Sequence, residues 1–204
     1  MEFRTVEVRW FSAGRCPEAV TNWFLAGPLV SEPERRTDDY LLLPESDELG
    51  VKLRGSSLLE LKLRTGSVNE VSLPGLDGRV EAWTKWSFLL DSAGARPAEE
   101  SWIPVEKTRW SRIYEVHENG ECTAVSTGRT LSNACAAELV EVRIGSRLSW
   151  GFGFEAFSQT LEAAVVLEEA ASRFVQDTPL DDLTFGEANS HSYPSWLQVW
   201  PEAE

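Results

Sequence analysis

Charged and apolar residues alternate along most of this chain. Gly50-Val51-Lys52-Leu53-Arg54 and Leu59-Glu60-Leu61-Lys62-Leu63-Arg64 keep a strict two-residue period, which puts one kind of side chain on each face of a strand. Gly55-Ser56-Ser57 lies between them and predicts a hairpin. The same period predicts strands over Thr5–Phe11, Arg79–Trp86, Val105–Trp110, Ile113–His117, Cys122–Ser126, Ala136–Ile144 and Leu148–Phe154, and a short one over Asp39–Leu43 ended by Pro44. Asn119-Gly120 and Gly145-Ser146 are the expected turns. Polar Ser31–Asp38 and small-residue 91–101 read as loops.

Two stretches change period. After Pro17, Val20, Trp23 and Phe24 mark the apolar face of a helix that follows the first strand. Ser158 is placed to cap a second helix running to about Val175, with Leu161, Ala164, Leu167, Ala171 and Phe174 as its stripe. Residues 176–204 form an acidic, aromatic-bearing tail without periodicity. No repeat or linker divides the chain, so the expectation is one domain over 1–175 with the 176–204 tail packed on it. The predicted class is mainly β (α+β), an antiparallel sheet with flanking helices.

Alternation leaves open which face is inside. In one arrangement leucine and valine line a sandwich or lipocalin-like core that carries an apolar ligand, and Lys52, Arg54, Glu60, Lys62, Arg64, Glu81 and Lys85 are solvated. In the other the sheet closes into a barrel with the charges inside, where they must pair or meet a polyanion. Net charge is −14, which argues against nucleic acid or an anionic membrane as partner. The acid is uneven, however. From Glu155 onward ten carboxylates face Arg173 alone, a net of −9, which leaves −5 for the first 154 residues.

Asp39-Tyr40-Leu41-Leu42-Leu43-Pro44, Glu48-Leu49-Gly50-Val51-Lys52-Leu53-Arg54 and Leu59-Glu60-Leu61-Lys62-Leu63 together resemble the CYTH superfamily, the triphosphate tunnel enzymes. Glu7-Val8-Arg9 resembles the second half of that superfamily's opening ExExK motif, and Glu138-Leu139-Val140-Glu141 resembles a late acidic strand. The resemblance implies an eight-stranded antiparallel closed β-barrel, a tunnel that binds triphosphate with Mg²⁺ or Mn²⁺. It implies Glu7 and Glu138 as metal ligands, and Arg9, Lys52, Arg54, Lys62, Arg64, Lys85 and Arg109 as phosphate contacts. The motif departs at Thr5, which replaces a glutamate, and at Arg9, which replaces a lysine. Losing a hard anionic ligand weakens a Mg²⁺ site, and a planar guanidinium replaces a point charge.

Two function classes follow from the resemblance. One is a metal-dependent hydrolase of inorganic triphosphate, thiamine triphosphate or a nucleoside triphosphate, with cyclase chemistry on ATP as a variant. The other is a barrel that binds a phosphorylated metabolite without turnover. The carrier of an apolar ligand stands as a third, independent class.

Other signals are weaker. His117 and His191 are the only histidines, too few for a histidine zinc site. Cys16, Cys122 and Cys135 are odd in number and far apart, which suits reduced thiols. Gly151-Phe152-Gly153 lacks the third glycine of a dinucleotide fingerprint and reads as relief of crowding in an aromatic strand. Trp83 shares a face with Glu81 and Lys85 and is placed to stack on a base. The start MEFRTVEVRW has no apolar signal core, and no stretch nears the roughly 18 apolar residues of a membrane span. A cytoplasmic monomer or homodimer is expected. The segment Tyr193–Leu197 is expected to fold back over one tunnel mouth.

Overall fold

A computed structural model describes residues 2–55, 57–73, 75–90 and 102–199. Nine strands form one antiparallel sheet: β1 (Glu2–Ala13), β2 (Glu34–Leu41), β3 (Leu49–Arg54), β4 (Leu58–Leu73), β5 (Leu76–Leu89), β6 (Trp102–Val116), β7 (Cys122–Val125), β8 (Asn133–Ile144) and β9 (Arg147–Ser158). Neighbours run β2-β3-β4-β5-β1-β9-β8-β6, and β2 pairs again with β6 from Glu34↔Arg109 to Leu41↔Trp102. Eight strands therefore close a barrel. β7 pairs only with the far end of β6, from Ile113↔Val125 to Val116↔Cys122, outside the closure.

Closure decides the open question of facing. Val6, Val8 and Trp10 of β1 point outward and join Phe152 and Phe154 of β9 in the larger apolar core. Helices α1 (Glu18–Leu25) and α2 (Ala163–Asp177) cover that core from outside, burying Val20 and Phe24 from the first and Val166, Leu167, Ala170, Ala171 and Phe174 from the second. The alternate residues of the same strands, Thr5, Glu7, Arg9 and Phe11, turn into the barrel. A sandwich with solvated charges is not what the chain adopts.

A smaller core lies inside the barrel at one end, where Phe11, Tyr40, Val105, Val140 and Val142 meet Trp196 and Leu197. The last two belong to α3 (Tyr193–Val199), which follows a short 3-10 turn at Glu187–Asn189. Trp196 stacks on Phe11 with ring centroids 4.5 Å apart. Ser190 bridges to Trp10, and the His191 amide donates to the Arg9 carbonyl at 3.0 Å. Thus the tail does more than cover a mouth: its aromatic rings fill the end of the barrel.

Several expected boundaries move. The segment 31–38, expected as a loop, supplies the first half of β2, because closure gives its backbone a partner in β6 that local composition does not show. The strands expected at 105–110 and 113–117 are one, β6. Helix α2 begins at Ala163, not after a Ser158 cap. Ser158 Oγ instead donates to Asn133 Oδ1 at 2.7 Å and accepts from the Leu161 amide at 2.7 Å. Leu161 therefore precedes the helix. The 91–101 loop lies outside the described residues. No helix among the described residues is long and apolar enough to cross a membrane.

Candidate functional site

A cavity of about 170 Å³ occupies the middle of the barrel, bounded on the plugged side by Tyr193 and Pro194. This is below the roughly 300 Å³ at which pockets for drug-sized ligands begin. Arg9, Lys52, Arg54, Lys62, Lys85 and Arg109 all line it, as do Glu7 and Glu138. Arg64 does not. It sits at the rim, held by Glu81 at 2.8 Å and Asp47 at 3.0 Å. Trp83 faces inward and is buried, with the Lys62 ammonium 5.5 Å from its ring centre.

The charges form two groups of different balance. In the first, Arg9 bridges three carboxylates: Nε to Glu7 at 3.4 Å, Nη1 to Glu138 at 2.9 Å and Nη2 to Glu155 at 2.9 Å. Lys62 adds a second cation to Glu7 at 2.6 Å and to Glu155 at 3.5 Å, and Arg109 pairs with the other oxygen of Glu138. Three cations thus face three carboxylates.

In the second group five cations share two carboxylates. Asp38, fully buried, has Lys107 at 3.3 Å, Arg36 and Arg54 at 3.4 Å and Lys52 at 3.7 Å. Glu60 has Lys52 at 3.1 Å, Arg54 at 3.2 Å and Lys85 at 3.9 Å. Half-exposed Glu34 at the open end takes one hydrogen bond from Arg36 and one from Arg109. With Glu34 counted, these groups among the described residues still hold two more cations than carboxylates.

The titration behaviour follows that imbalance. Burial lowers Lys107 far below the usual lysine range, and the nearby Lys52 and Arg36 lower it further, against the pull of Asp38. Burial likewise lowers Lys52, whose Asp38 and Glu60 partners are shared with Arg54. Lys62 goes the other way. Burial opposes its charge, but Glu155 and Glu7 outweigh burial and raise it. Burial alone would raise the Asp38 carboxyl, yet Lys52, Lys107, Arg36 and Arg54 bring it down to about 2.

The tyrosines complete the wall. Lys107 Nζ donates to Tyr40 Oη at 2.7 Å and lies 3.9 Å from the Tyr193 ring centre, so a buried ammonium is held by ring faces as well as by a carboxylate. Away from the plug, the cavity shares Arg109 and Glu138 with a hollow of about 440 Å³. Ser111, Ala134, Ala136 and Phe157 line this vestibule, and the Ser126–Leu131 connection borders it. It carries less charge than the cavity.

A divalent ion needs several hard oxygens free to converge on it. Glu7 and Glu138 face the same interior but are drawn onto Arg9, and Thr5 adds only a hydroxyl. Among the described residues no group of three or more His, Cys, Asp or Glu side chains is arranged to hold a metal. As they stand, these donors do not fit a resident Mg²⁺ or Mn²⁺.

Sequence reading missed Arg36, Asp38, Lys107 and Glu155 as members of the site, and it placed Tyr193 over a tunnel mouth without naming it as part of the cavity wall. Lys107 was within reach, since it shares strand phase with Arg109, and Glu155 is in phase with Gly153. Arg36 and Asp38 were hidden inside the presumed loop. Comparisons with protein-family models and with curated proteins find no match for this chain.

Proposed function

We propose that this protein binds a small phosphorylated polyanion, with an oligophosphate group in the cavity and any attached organic group in the vestibule. Inorganic triphosphate fits this description, as do thiamine triphosphate and nucleoside triphosphates. One observation carries the reading: a chain of net charge −14 gathers more lysine and arginine than carboxylate, among its described residues, around one partly buried cavity. Uncompensated buried cations are costly, and an anion that hydrogen-bonds several of them at once relieves that cost. Supporting it, the groups come from adjacent strands of a closed sheet, so their positions are fixed before a ligand arrives.

The test is a thermal-shift screen of phosphorylated compounds. Tripolyphosphate at a hundred times its Kd is expected to raise the melting temperature by about 5–10 °C, the product of the roughly 2.7 kcal/mol of stabilisation that mass action gives at that concentration and the sensitivity of a domain this size. Reversing charge in the surplus group, with Lys52→Glu and Arg54→Glu together, is expected to remove the shift. A screen in which no phosphorylated compound stabilises the wild-type protein would overturn the reading. Release of inorganic phosphate from the bound compound would make the protein a hydrolase of its ligand.

A further inference from the structure

We infer that Arg9 is a built-in cation standing where the resemblance places a divalent metal, so that the barrel takes its polyphosphate without one. The inference rests on the anion-binding reading above and adds to it how the carboxylates of the site are used.

Arg9 pairs with Gly153 across β1–β9, and Gly153 pairs with Glu138 across β9–β8, so the three residues form one row inside the barrel. A Cβ on residue 153 would lie 2.7 Å from Arg9 Cγ and 2.6 Å from the Val8 carbonyl. The missing side chain is therefore what lets the arginine stem cross β9 and reach Glu138. Each guanidinium nitrogen then meets a different carboxylate, on β1, β8 and β9. A lysine in this place has one nitrogen and cannot span three strands.

Lys62 takes the second oxygen of Glu155 and shares Oε2 of Glu7 with Arg9, and Arg109 takes the second oxygen of Glu138. A divalent ion entering here would have to displace the guanidinium from all three, against the charge of two further cations. The carboxylates are thus committed to holding cations of the chain in place, and the phosphates are left to the unbalanced group around Asp38.

Calorimetry of tripolyphosphate tests this on the wild-type protein in EDTA and again with Mg²⁺ or Mn²⁺. The expected Kd in EDTA is at most about twofold weaker than with metal, a difference too small to reflect a shared ion. Binding that requires metal would overturn the inference and leave the anion-binding reading standing. No binding in either condition would overturn both. A second measurement needs no phosphate: Mn²⁺ alone, followed by electron paramagnetic resonance. Wild-type protein is expected to leave the Mn²⁺ signal free, and stoichiometric uptake would overturn the inference whatever a variant does. Arg9→Ala, which removes the one cation shared by all three carboxylates and leaves them paired with Lys62 and Arg109, is expected to take up one Mn²⁺ per chain and to gain melting temperature from it. A folded Arg9→Ala protein that ignores Mn²⁺ would equally count against Arg9 as the stand-in.

Discussion

Lys62 and Lys107 carry the same ammonium in one barrel, yet their neighbours move them in opposite directions. A polyanion beside Lys107 raises its depressed affinity for a proton. Binding measured at a pH above the lowered value should therefore be accompanied by proton uptake, seen in calorimetry as enthalpies that differ between buffers of different ionisation heat. Equal enthalpies in all buffers across the alkaline range would show that the ligand does not meet Lys107. Asp38 gives the acid-side counterpart. Its carboxyl is held at about 2 in the folded protein, below the ordinary value near 3.9. Its contribution, about 2 kcal/mol, is present above pH 4 and is lost as pH falls from about 4 toward 2. Asp38→Asn is expected to flatten that part of the stability-against-pH curve. At this scale the sequence was partly legible. Alternation identified the charges of β3, β4 and β5, but no local pattern says that Asp38 gathers four cations contributed by β2, β3 and β6, because those contacts exist only after closure.

At the scale of elements, two small features hold the site. Gly153→Ala would drive a methyl group into the Arg9 stem and the β1 backbone. A destabilisation of about 1–3 kcal/mol by overpacking is expected in urea titration, together with weaker polyphosphate binding as Arg9 shifts. Unchanged stability and binding would mean that the row through residue 153 has more room than its geometry gives. The second feature is α3. Trp196→Ala removes a buried ring stacked on Phe11 and is expected to cost about 3–5 kcal/mol, read as a fall in melting temperature. Helix α3 was illegible as a helix: seven residues with Pro194 among them give no periodic stripe. Its large apolar side chains were the one signal, since Tyr193, Trp196 and Leu197 are costly to leave in water. The strand–turn–strand units were plain, notably β8–β9, where Gly145 takes φ +58° in the turn expected at Gly145-Ser146.

For the whole molecule, what alternation withheld was a single choice between inside and outside. Both faces of each strand were readable, but which face a closed sheet turns inward depends on whether helices exist to cover the other one. Here α1 and α2 supply that cover over β1, β8 and β9. An apolar-centred barrel would have needed no such cover and no excess of lysine within. The apolar plug of α3 has its own consequence. A cavity stopped at one end has a single order of arrival and departure. If the proposed function holds, a linear polyanion would enter with its free terminus leading and withdraw along the same path, so a chain blocked at both ends by bulky esters would be refused, whereas one with a bare end would be admitted.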